Sequence, residues 1–105
     1  MNETDLMNKI RIDLSTLGFA VFRANVGKVR TPDGRWFDTG LPKGFSDLFA
    51  IKSGKIYFLE VKVKPNKPTK EQLNFLDVME NIYGCRGAVV YSIEDARRCC
   101  NNATE

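Results

Sequence analysis

A chain of 105 residues, 43% hydrophobic and 28% charged, is long enough to bury one core and too short for two independent ones. No low-complexity tract marks a linker, and no basic start runs into a long apolar stretch, so neither a signal peptide nor a membrane anchor is expected and the protein is expected to be intracellular. The net charge of +3 is concentrated, with Arg23, Lys28, Arg30, Arg35 and Lys43 in one stretch and Lys62, Lys64, Lys67 and Lys70 in another, which admits a polyanionic partner without requiring one.

The first element is an amphipathic helix, with Leu6, Ile10, Leu14 and Leu17 at three- and four-residue spacing beside Met7, stopped by Gly18. Residues Phe19 to Ala24 are rich in β-formers and read as a short buried strand. From Asn25 to Gly44 the chain is polar, and Thr31-Pro32-Asp33-Gly34 reads as a tight turn that makes this segment a small excursion from the core. Two apolar runs follow, Phe45 to Ile51 and Ile56 to Val63, joined by a turn centred on Ser53-Gly54, and this hairpin is the expected centre of the sheet.

Lys64-Pro65-Asn66-Lys67-Pro68 cannot continue a strand, and Thr69 with Gln72 has the form of a capping box opening a second helix. The expected inward face of that helix is Leu73, Leu76, Met79 and Tyr83, with Gly84 as its end. Ala88 to Tyr91 reads as another strand, and Ser92 with Asp95 caps a last helix containing Arg97 and Arg98. The polar end, Asn101 to Glu105, is expected to be disordered. The expected order is α-β-β-β-α-β-α.

With Ser53 and Gly54 as the two turn residues, Lys52 faces Lys55, Ile51 faces Ile56, and Asp47 falls opposite Glu60. Opposed residues project to one face with Cβ atoms about 5 Å apart, so two carboxylates converge at the open end of the hairpin. Strand periodicity puts Lys62 on the same face. Like charges so placed repel unless a cation lies between them, and a hard divalent ion suits two carboxylates with positions left for water and phosphate oxygens. The chain has no histidine, so neutral-pH base chemistry falls to a metal-activated water, a carboxylate or a lysine. Cys85, Cys99 and Cys100 form no CxxC pair and read as reduced thiols, with Cys85 in or near the core. On spacing alone, Asp47 and Glu60 could equally be strand-edge acids with Lys62 a solvated partner of Glu60.

The segments Gly44-Phe45-Ser46-Asp47, Leu59-Glu60-Val61-Lys62 and Thr69-Lys70-Glu71-Gln72 resemble the PD-(D/E)xK nuclease superfamily, and within it the VRR-Nuc family, with Ser46 where the superfamily often has proline. The resemblance covers nearly the whole chain. It implies a single nuclease domain over residues 1–105, with a restriction-endonuclease-like αβββαβ core of α/β class and a mixed central sheet flanked by helices. It implies an endonuclease hydrolysing DNA phosphodiesters with Mg²⁺ or Mn²⁺: Asp47 and Glu60 as metal ligands, the Val61 carbonyl as a third, and Lys62 as the catalytic lysine. The family's first-helix acid is matched best by Glu3, with Asp5 as the other candidate. Gln72 matches a helix glutamine that helps order the site; its competing role is structural, as half of the capping box.

Stand-alone members resemble phage-encoded proteins, which would act in a bacterial host's cytoplasm, and are associated as homodimers with branched DNA, including four-way junctions. Candidate DNA contacts are Lys28, Arg30, Arg35, Lys43, Lys64 and Lys67, with Trp36 either a stacking surface or a packing anchor. Other uses of the same residues are nicking, flap or restriction-like cleavage; readings from other classes are a non-catalytic nucleic-acid-binding module and a protein-interaction domain.

Overall fold

A computed structural model of the chain describes residues 1–101; residues 102–105, which belong to the tail expected to be disordered, lie outside the described residues. The elements are α1 (Glu3–Thr16), β1 (Ala20–Arg23), β2 (Lys28–Arg30), β3 (Trp36–Asp38), β4 (Leu48–Lys52), β5 (Lys55–Val61), α2 (Lys70–Asn81), β6 (Arg86–Val90) and α3 (Ile93–Asn101). Strands β1, β4, β5 and β6 form a mixed sheet in that order, with β1 and β5 antiparallel to β4 and β6 parallel to β5. Strands β2 and β3 form a separate two-stranded ribbon. The α-β-β-β-α-β-α reading thus holds for the central sheet, and the excursion turned at Thr31 to Gly34 is this ribbon.

Side chains alternate between two apolar layers. Tyr57, Leu59 and Val61 of β5 join Leu48, Ala50, Leu6, Ile10, Leu14, Ala96 and Cys100 in the core beneath α1 and α3. Phe58 belongs to the other layer, with Phe75 and Leu76 of α2 and the half-buried Phe45 and Phe49. Arg97 clamps α3 to α1 through a two-pronged pair with Asp13, at 2.8 and 2.5 Å. No described helix is long and apolar enough to cross a membrane.

Two expectations need correction. The strand read as buried lies at the sheet edge, where Phe22 is 47% exposed and stacks on Phe49; a short apolar run does not distinguish an edge from a centre. Leu73 and Tyr83 do not face inward on α2, being 50% and 67% exposed. Phe75 takes their place beside Leu76 and Met79 because its ring fits between Phe45 and Phe58, with centroids 4.7 and 5.1 Å away. Cys85 lies near the core as expected, half-buried against the second layer, while Cys100 is fully buried; all three cysteines are free.

Candidate functional site

The hairpin turn sets the site. Ser53 and Gly54 both adopt positive φ, 53° and 77°, the pairing a tight two-residue hairpin needs. The ladder runs from Lys52↔Lys55 to Leu48↔Leu59, and carrying that register one step further sets Asp47 opposite Glu60. Alternation puts Phe45, Asp47 and Phe49 on the α2 face of the sheet, together with Phe58, Glu60 and Lys62. The two carboxylates therefore sit at the end of an aromatic layer.

That layer explains the electrostatics. Glu60 is 1% exposed, and neither of its oxygens accepts a hydrogen bond. Burial first, then the neighbouring Asp47 carboxyl, push its pKa up to about 8, against the opposing pull of Lys62. Lys62 Nζ lies 3.4 Å from Glu60 Oε2, an ion pair out of line for a hydrogen bond, and its side chain is only 13% exposed. As two carboxylates, Asp47 and Glu60 have no proton to share; with a proton on Glu60, the pair becomes a donor and an acceptor.

Asp47 is held from two sides. Its Oδ2 accepts from the Val61 amide at 2.9 Å, and its carbonyl accepts from the Ala24 amide at 2.8 Å, tying it to β5 and to the end of β1. Next to it, Ser46 is fully buried and donates to the Leu48 carbonyl at 3.0 Å. Gly44 has φ +93°, and a Cβ there would stand 2.5 Å from the Glu71 carbonyl, so the chain entering the site passes directly against the first turn of α2. Gly44→Ala combines a left-handed backbone with a clash against main chain, and is expected to cost about 3 kcal/mol and lower the thermal midpoint by about 10 °C or more. Thermal unfolding followed by circular dichroism checks this; an unchanged midpoint would show that the two segments are not in contact.

On α2, the Thr69 hydroxyl accepts from the Gln72 amide at 3.2 Å and Gln72 Oε1 accepts from the Thr69 amide at 2.8 Å, completing the capping box. Gln72 is thus a helix cap, and it also lines a cleft of about 380 Å³ with Asp47, Arg23, Asn25, Lys43 and Gly44. Arg23 and Asn25 were not singled out in the sequence. The signal was present, since Arg23 ends a strand that pairs beside Asp47, but choosing it requires knowing that β1 lies next to β4. A larger hollow of about 710 Å³ between α1 and β1 is lined by no acidic side chain and lies apart from this chemistry.

The first-helix acids are Glu3 and Asp5. Glu3 accepts from Asn66 Nδ2 at 2.9 Å, in the loop after Lys62, and Asp5 is exposed near the Asn2 cap. Among the described residues no third acidic or thiol side chain groups with Asp47 and Glu60. Of the candidate DNA contacts, Lys43 is at the cleft with its ammonium 3.9 Å from Glu71, and Lys64 lies over the Tyr91 ring at 5.8 Å. Lys67 is exposed on the loop before α2, while Lys28, Arg30 and Arg35 belong to the ribbon. Trp36 is 63% exposed, so it is not a packing anchor.

A mixed four-stranded sheet with helices on both faces, carrying an acid pair and a lysine at the end of its central hairpin, is an α/β fold. No family model matches the sequence, and no curated protein matches it. Among solved structures, the chain is similar to a VRR_NUC domain, with a TM-score of 0.65 and 23% identity over 94% of each chain. It is also similar to Archaeoglobus fulgidus Hjc, described as a Holliday junction resolvase from an archaeal hyperthermophile, with a TM-score of 0.59 and 17% identity over 85% of this chain and 67% of that one. The VRR-Nuc resemblance drawn from the sequence is therefore matched by the fold.

Proposed function

We propose that this chain is a Mg²⁺- or Mn²⁺-dependent DNA endonuclease that hydrolyses phosphodiester bonds, acting as a homodimer on branched DNA such as a four-way junction. The observation that carries the reading is Glu60, a buried carboxyl group with no hydrogen bond on either oxygen, beside Asp47, which lines a cleft with Arg23 and Lys43. A folded protein retains so costly an arrangement where a cation offsets it.

The residues fit a hard divalent ion. Asp47 and Glu60 supply carboxylate oxygens. A strand residue's N–H and C=O leave the same edge, and the Val61 amide is spent on Asp47, so the Val61 carbonyl is the natural main-chain donor on that side. With no third acidic side chain among the described residues, positions remain for water and phosphate, as Mg²⁺ prefers. When bound, the ion polarises the phosphodiester and lowers the pKa of the attacking water.

The chain's own groups do the rest. Lys62 places a partly desolvated ammonium where negative charge grows on the phosphate. Gln72 fixes the first turn of α2 against the cleft. Arg23 and Lys43 line that cleft and offer cations to flanking phosphates. One cleft acts on one strand, so cutting two strands of a branch needs two copies, for which C₂ symmetry is the common arrangement. The similarity to a described Holliday junction resolvase supports the branched substrate.

Labelled duplex, single-stranded, flap and four-way-junction DNA incubated with the protein and Mg²⁺, Mn²⁺ or EDTA tests the proposal. Metal-dependent cutting is expected, strongest on the junction and lost in Asp47→Ala, with a dimeric mass by light scattering. Salt-sensitive binding without cutting would leave a nucleic-acid-binding module instead. Cutting that survives Asp47→Ala would overturn the site.

A further inference from the structure

We propose that the β2–β3 ribbon is a base-stacking arm, on which Trp36 receives an unpaired base of the DNA close to the cut and Lys28 and Arg30 hold the adjoining phosphates. The inference rests on the nucleic-acid reading of the cleft and adds the structural feature of the substrate that is recognised.

Among the described contacts, β2 and β3 pack chiefly on each other. The ribbon's roots belong to the cleft, because Arg23 to Val26 lead into it and Lys43 to Asp47 follow it. Register pairs Lys28 with Asp38 and Arg30 with Trp36, so these four share one face of the ribbon. On that face the Arg30 guanidinium lies over the indole, 5.3 Å from its centroid, while the ring remains 63% exposed.

The turn is built to hold this shape. Gly34 donates to the Thr31 carbonyl at 2.9 Å, the Arg35 amide donates to the Thr31 hydroxyl at 3.1 Å, and the Arg35 guanidinium grips Asp33 at 2.8 Å. Asp33 is paired with Arg35, and Asp38 accepts from the Gly40 amide at 2.8 Å, so the face carries the two cations Lys28 and Arg30 against the one acid Asp38. An exposed aromatic with cations beside it suits a base flanked by phosphates.

The base must be unpaired. In a duplex each base is covered above and below by its neighbours, and only a base at a branch, gap or single strand offers a face to the indole. Reach sets its place. The Arg30–Trp36 pair is four residues from Val26 at the cleft, with a bend at Gly27 between them, so it lies at most about 13 Å away. That is within roughly four base steps along one strand.

Trp36 is the sole tryptophan of the chain, so its fluorescence reports the arm alone. The full-length protein is titrated in EDTA, where no cutting occurs, with a fully paired duplex and with the same duplex ending in an unpaired fork. Saturable quenching is expected with the fork and not with the duplex. By anisotropy of labelled DNA, Trp36→Ala is expected to lose roughly 10- to 100-fold in affinity for the fork and less than about 3-fold for the duplex. Trp36→Tyr restores most of the loss, and the melting temperature of Trp36→Ala stays at the wild-type value because the ring is outside the core. No quenching with either DNA, or equal quenching and equal losses on both, would overturn the arm. Because this readout needs no turnover, cutting without quenching refutes the arm and leaves the nuclease, while quenching without cutting supports the arm and refutes the nuclease.

Discussion

Lys62→Ala is expected to slow metal-dependent DNA cleavage by about two to three orders of magnitude while changing affinity for uncut DNA in EDTA by less than about threefold. The asymmetry follows from where the ammonium sits. Its side chain is only 13% exposed and lies beside a buried carboxylate, so its field acts on a developing charge through little water. Ground-state binding, by contrast, is shared with Arg23, Lys43 and the exposed lysines that follow β5. Lys62 also draws the Glu60 pKa down, so its removal should move the rising limb of the pH–rate profile to higher pH. Single-turnover rates against pH, set beside binding in EDTA, read both effects. A loss below about tenfold, or one confined to KM, would sink the assignment of Lys62.

The second large effect is on stability. Glu60 has its pKa raised from 4.5 to about 8, chiefly by burial and secondarily by Asp47. Below pH 4.5 the group is protonated folded or unfolded and contributes no pH dependence. Between pH 4.5 and about 8 the unfolded chain ionises while the folded one holds its proton, so stability falls as pH rises; above that window the loss levels off. A displacement of this size is a loss on the order of 5 kcal/mol. Glu60→Gln removes it, so the metal-free variant is expected to melt above the wild type at pH 8, by about 10 °C or more, with the gain shrinking towards pH 5. Mn²⁺ should raise the melting temperature of the wild type and leave Glu60→Gln unmoved. Metal binding near pH 7 should release a proton, measurable by calorimetry in buffers of different ionisation heat. A metal-free wild type that gains stability from pH 5 to pH 8 would contradict this account of Glu60.

Much of this site could be read from the chain because its geometry is local. A two-residue turn leaves no freedom of register, so locating Ser53-Gly54 also located Asp47 opposite Glu60. The capping box at Thr69 and Gln72 was legible for the same reason, since it needs only four consecutive residues. Where the outcome depended on what packs against what, the sequence was silent. The pattern of α2 supports a stripe through Leu73 or one through Phe75, and the aromatic pocket of Phe45 and Phe58 decides between them. The edge position of β1, the place of Glu3 beside Asn66, and the presence of Arg23 in the cleft are all set by contacts between distant segments.

The hairpin that brings the two carboxylates together also orders events during folding. Asp47 and the Val61 amide are 14 residues apart, so this pairing closes a short loop on a timescale of about microseconds. Burial of Glu60 also needs β6 beside β5 and α2 over the aromatic layer, contacts that close longer loops and are expected to form later. The acid pair is thus assembled while still hydrated, and its repulsion is felt mainly at the final docking of the sheet. An early folding nucleus built on β4 and β5 would therefore carry the chemistry of the site before it carries the cost of burying it.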